Sequence, residues 1–98
     1  PHLLAPCLAR LAGELRSENP DAVHLTGGSF ADATRVARSD PALWSEILHL
    51  NRTAVLEAVD RFRDLLTEAR TCLGSEGMEP FLSTAARDHD RWREARDG

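Results

Sequence analysis

The residues with the most chemical promise lie in one stretch, Gly27-Gly28-Ser29-Phe30-Ala31-Asp32-Ala33-Thr34-Arg35-Val36-Ala37-Arg38-Ser39-Asp40-Pro41-Ala42-Leu43-Trp44-Ser45-Glu46-Ile47, followed by Asn51. All twelve basic side chains of the chain are Arg, whose planar fork matches a carboxylate in charge and shape. Asp32 and Arg35 are three apart, a spacing that sets two side chains together on a helix face; alone, such a pair is a surface ion pair worth little. Trp44 reads as a core filler, Asn51 as a helix cap and Gly28 as a helix stop. His2, at the chain end, says nothing by itself, and His24, His49 and His89 read as solvated or partly buried. Asp88-His89-Asp90 has metal-ligand types but no second His and Asp set at suitable spacing. Cys7 and Cys72 have neither a CxxC pair nor a His at ligand spacing and read as small core residues in a reducing compartment. Asn51-Arg52-Thr53 fits the glycosylation sequon, a tripeptide that arises often by chance.

These residues need elements to hold them, and the apolar periodicity gives helices and no strands. Leu4, Leu8, Leu11 and Leu15, with Leu3 and Cys7 beside them, recur at 4-3-4 and predict a helix that ends before Ser17-Glu18-Asn19-Pro20. Pro6 must lie near its start or kink it. Asn19-Pro20 predicts a cap and first helical residue for a short element through Val23 and Leu25, stopped by Gly27-Gly28. A turn or two of helix follows from Phe30 to Arg38, with Phe30, Ala33, Thr34 and Ala37 on one face. Ser39-Asp40-Pro41 predicts a capped helix carrying Leu43, Trp44, Ile47, Leu48 and Leu50, which Asn51 interrupts or recaps. Val55, Val59, Phe62, Leu66, Ala69 and Leu73 predict a helix of about 22 residues, ~33 Å long. Gly74, Ser75 and Gly77 break it, and Met78, Phe81, Leu82, Ala85, His89 and Trp92 form the inner face of a last helix.

The whole chain has 98 residues, enough for one core and too few for a two-domain enzyme. Its net charge of -4 repels polyanions, so no nucleic acid partner is expected. Its apolar runs fall far short of the ~20 residues that cross a bilayer, so no membrane is expected either and the chain reads as soluble, with nothing marking a signal peptide. There is no Gly-rich loop after a strand, hence no dinucleotide site of its own. The chain opens at Pro1, without Met and within an apolar run, which suggests a segment of a longer protein.

The Gly27 to Ile47 stretch with its downstream Asn51 resembles the prephenate dehydrogenase family, whose C-terminal helical domain carries a GGxF-x-D-x-TR-I/V-A-x-SDP-x-x-W-x-D/E-I motif. Pro1-His2 resembles the end of that family's Ser-His-Leu-Pro-His motif, cut after its third residue. Some twelve positions match at fixed spacing, and the flanking helices extend the similarity over essentially the whole chain. The resemblance implies an all-α helical bundle of the 6-phosphogluconate-dehydrogenase C-terminal type, forming an interleaved homodimer through its long helices. It makes residues 1–98 the dimerisation and substrate-binding domain, with the Rossmann-type domain, the NAD site and the catalytic His outside this chain. The fragment alone is then expected to be inactive and to hold no metal, and the enzyme to be cytoplasmic. The implied reaction takes a hydride from prephenate to NAD, with loss of carbon dioxide, giving 4-hydroxyphenylpyruvate on the route to tyrosine.

The same resemblance implies roles. Arg35 would grip the ring carboxylate of prephenate, with Asp32 orienting it or joining an ionic network. His2 would bond to the pyruvyl side chain, Gly28 would let the backbone approach substrate or the other subunit, and Trp44 would fill the core beneath the site. Two positions depart from the pattern: Ala31 stands where many relatives carry Lys or Arg, and Ser29 where Gly is frequent. Arogenate as substrate remains open within the family, and from another class, a helical dimerisation module without catalysis.

Overall fold

Several helix boundaries follow from local signals. The computed structural model describes residues 1–19 and 28–98, and over these it is helical, with no strand. The predicted element through Val23 and Leu25, with His24 and Gly27, lies outside the described residues. The chain divides into two units, Pro1–Asn51 and Arg52–Gly98.

In the first unit, α1 spans Leu4–Glu18. Pro6 falls in its first turn, where a backbone N–H would lack an intrahelical acceptor, so the ring fits without a kink. The helix runs two residues past its predicted end. The Ser17 hydroxyl donates to the Gly13 carbonyl at 3.1 Å, and the chain turns extended only at Asn19, the residue before Pro20. The face turned inward is also not the leucine stripe expected. Ala5 is buried, Leu8, Ala9 and Ala12 are half-buried, while Leu4, Leu11 and Leu15 are exposed. Small residues let α1 approach its neighbours closely, which leaves the larger side chains along its flank.

Those neighbours are α2, Gly28–Thr34, and the 3-10 turn Arg35–Arg38 that continues it. α2 begins two residues before the predicted Phe30. Its conversion to the tighter turn has visible causes. The Thr34 hydroxyl donates to the Phe30 carbonyl at 2.8 Å, and Ser39 Oγ donates to Val36 O at 2.7 Å. Downstream, Pro41 disfavours helical geometry at Asp40, so the helix cannot run on through that residue. Phe30, Thr34, Val36 and Ala37 are half-buried, whereas Ala33, expected on that face, is exposed.

Helix α3, Pro41–Leu50, starts as its sequence predicts: Ala42 N–H donates to the Asp40 carboxylate at 3.0 Å, and Pro41 takes the first helical position. Asn51 ends it, its Nδ2 donating to the Ile47 carbonyl at 2.8 Å.

The second unit is an αα-hairpin. Its long helix α4, Arg52–Cys72, has 21 residues, close to the predicted length, and α5 spans Met78–Asp97. Gly74 supplies the positive φ of 75° that ends α4. Ser75 then turns the chain, its hydroxyl accepting from Gly77 N–H at 3.1 Å and donating to Cys72 O at 2.9 Å. Apart from Val55 and Val59, half-burial here gathers around the turn, at Ala69, Cys72, Gly77, Met78 and Phe81. The expected inner face of α5 therefore reduces to Met78 and Phe81: Leu82, Ala85, His89 and Trp92 are exposed. Trp92 instead packs with its own helix neighbours, His89 at 5.8 Å between ring centroids and the Arg96 guanidinium 4.7 Å over its ring. The cysteines are free thiols, and neither is in a core: Cys7 is exposed on α1, and Cys72, at the end of α4 beside Gly77 of the turn, is half-buried.

Candidate functional site

The predicted site residues all lie in the first unit, and the structure brings two of them into direct contact. The His2 imidazole stacks on the Trp44 indole with 3.5 Å between ring centroids and 6° between planes. Trp44 stands one turn into α3, where the Asp40 cap and Pro41 fix its register, and its backbone N–H donates to the Asp40 carbonyl at 3.1 Å. His2 lies just before α1, where Ala5 N–H closes the first turn on the Pro1 carbonyl at 2.8 Å. Both rings are half-buried, so Trp44 is a wall shared with solvent rather than the sealed core filler expected. No sequence spacing signals this contact, since 42 positions and several elements separate the partners.

Arg35 opens the 3-10 turn and is exposed, on a segment packed against α1, the helix that His2 precedes. Asp32, on α2, is exposed too. They share a neighbourhood in sequence but form no ion pair: among the described residues the salt bridges are Arg61–Glu57, Arg91–Asp88 and Arg96–Asp97, all on the second unit. The Arg35 guanidinium is thus an exposed cation with no protein carboxylate in contact among the described residues, a state suited to gripping an anionic group from solution. Gly28 is the first residue of α2, and Ala31 is exposed on the same helix.

Other clusters offer less. Asp60, Arg63, Asp64 and Thr67 line a shallow depression on the surface of α4 alone, far in sequence from the motif. Among the described residues no three His, Cys, Asp or Glu side chains gather as metal ligands, and none of their helices is long and apolar enough to cross a membrane. His49 is tied locally, its Nδ1 2.6 Å from the Ser45 carbonyl.

Comparison with known proteins bears on most of the chain. Residues 1–87 match the family described as prephenate dehydrogenase, dimerization domain. A prephenate dehydrogenase of Lactococcus lactis subsp. cremoris is 35% identical over 85 residues, covering 84% of this chain and 24% of that protein. A cyclohexadienyl dehydrogenase of Zymomonas mobilis is 35% identical over 83 residues, covering 84% and 28%. A prephenate dehydrogenase of Bacillus subtilis is 30% identical over 79 residues, covering 81% and 21%. The chain therefore spans about a quarter of the length of these relatives.

Proposed function

From membership in the family of prephenate dehydrogenase dimerization domains, to which this chain belongs, we propose that it is the dimerisation and substrate-binding part of a cytoplasmic enzyme. The proposed reaction is NAD-dependent oxidative decarboxylation of prephenate to 4-hydroxyphenylpyruvate and carbon dioxide, in tyrosine biosynthesis. The observation that carries the substrate reading is Arg35, an exposed guanidinium within the motif and free of any carboxylate partner among the described residues. Prephenate has two carboxylates. Arg35 takes the one on the ring, Asp32 adjusts the position of that guanidinium once substrate arrives, and His2 bonds to the pyruvyl side chain. Gly28 gives the backbone room to approach substrate or the second subunit, and Trp44 forms the wall behind His2.

The hydride acceptor of the proposed reaction would be NAD, and the described residues do not fit it: they form no strand from which a pyrophosphate-binding turn could lead into a helix. Its site, and the catalytic His with it, are assigned to a Rossmann-type domain of the full-length enzyme.

The dimer reading rests on exposure. Among the described residues Ala5 alone is a buried apolar side chain, while Leu50, Leu66 and Leu73 are 79%, 55% and 70% exposed. Apolar seams of this extent on one short chain favour a second copy, with long helices interleaved. Arogenate is the second reading: the Zymomonas mobilis relative is named a cyclohexadienyl dehydrogenase, a name for the ring that prephenate and arogenate share. Steady-state kinetics of the full-length enzyme with both compounds test the proposal, and turnover of neither would overturn it.

A further inference from the structure

We propose that Trp44 is a positioning residue for the substrate, acting through His2: the indole fixes the plane of the imidazole so that its two ring nitrogens present themselves edge-on to an oxygen-bearing ligand. This rests on the reading of His2 as a substrate contact and adds the means by which that contact is oriented.

The geometry of the stack carries the argument. Carbon atoms in contact lie about 3.5 Å apart, so centroids at 3.5 Å with planes 6° apart place the imidazole squarely over the indole rather than slipped to its edge. One face of the imidazole is covered by the indole, and because the ring nitrogens donate and accept in the plane of the ring, a ligand that hydrogen-bonds to them meets them at the rim. Among the described residues no hydrogen bond or ion pair is made by either nitrogen of His2, so both remain available there.

The two partners also differ in how firmly they are held. Trp44 belongs to a helix whose start is fixed by the Asp40 cap, by Pro41 and by its own backbone bond to Asp40. His2 lies outside any helix, and two side-chain torsions would otherwise let its ring turn freely. Holding it in one plane before substrate arrives removes an ordering cost from binding. The stack therefore runs in one direction: the anchored indole orients the loose imidazole. A wide flat ring does this, and a branched aliphatic side chain of similar bulk does not.

The test is a double-mutant cycle in the full-length enzyme, with ring-proton NMR of His2 alongside. Trp44→Leu is expected to raise KM for prephenate about tenfold with kcat changed less than about twofold. Trp44→Phe, which keeps an aromatic face, should recover most of that loss. In a His2→Ala background Trp44→Leu should add nothing further. The His2 ring protons should resonate upfield in the native protein and in Trp44→Phe, and return to ordinary positions in Trp44→Leu. Losses that multiply in the double variant would overturn the positioning role while leaving His2 a substrate contact. A His2→Ala enzyme with native KM would overturn the reading of His2, and the positioning role with it. Should Trp44→Leu fail to fold, His2 ring protons at ordinary positions in the native protein would by themselves overturn the proposal.

Discussion

Asp32 and Arg35 stand three residues apart, one on α2 and one at the first position of the 3-10 turn, and their side chains form no ion pair. Among the described residues no carboxylate neutralises the guanidinium. Since no salt bridge is lost, Asp32→Asn should change the unfolding free energy by less than ~0.5 kcal/mol, measured by urea denaturation. A loss above ~2 kcal/mol would show that Asp32 has a structural partner.

Removing the cap of α3 should cost more. Asp40→Ala leaves the Ala42 N–H without its acceptor and is expected to destabilise the chain by ~1 kcal/mol in the same measurement. Asp40→Asn, which keeps the accepting oxygen, should be nearly neutral. Equal losses from both would mean that the charge, not the cap, matters.

Gly74 offers a backbone test. A Cβ added there meets no atom within 4 Å, so the cost of Gly74→Ala is that of its φ of 75° alone, about 1 to 2 kcal/mol. An unchanged denaturation midpoint would contradict the turn as described.

The exposed seams give a prediction about mass. Light scattering at micromolar concentration should return twice the 10.8 kDa of one chain. A stable monomer would count heavily against the dimer.

Helix starts were the most legible features of the sequence, because a cap and a proline act within a few residues. Asp40-Pro41 is one case, and Gly74 shows the same at a helix end. Burial was less legible. The leucine stripe Leu4, Leu11 and Leu15 and the α5 residues Leu82 and Trp92 have the right periodicity for an inner face, yet stay exposed because periodicity shows that a face is apolar and not which chain covers it. The α5 expectation failed for the further reason that Trp92 finds Arg96 and His89 on its own helix. For the site, the motif pointed to Arg35 and Trp44, but the stack of Trp44 on His2 depends on tertiary contact, and no one-dimensional pattern encodes it.

The most direct measurement of the central claim is KM for prephenate in the full-length enzyme carrying Arg35→Ala. The account predicts a rise of tens of fold or more, on the order of 2 to 4 kcal/mol for a carboxylate left without its partner, and an unchanged KM would contradict it.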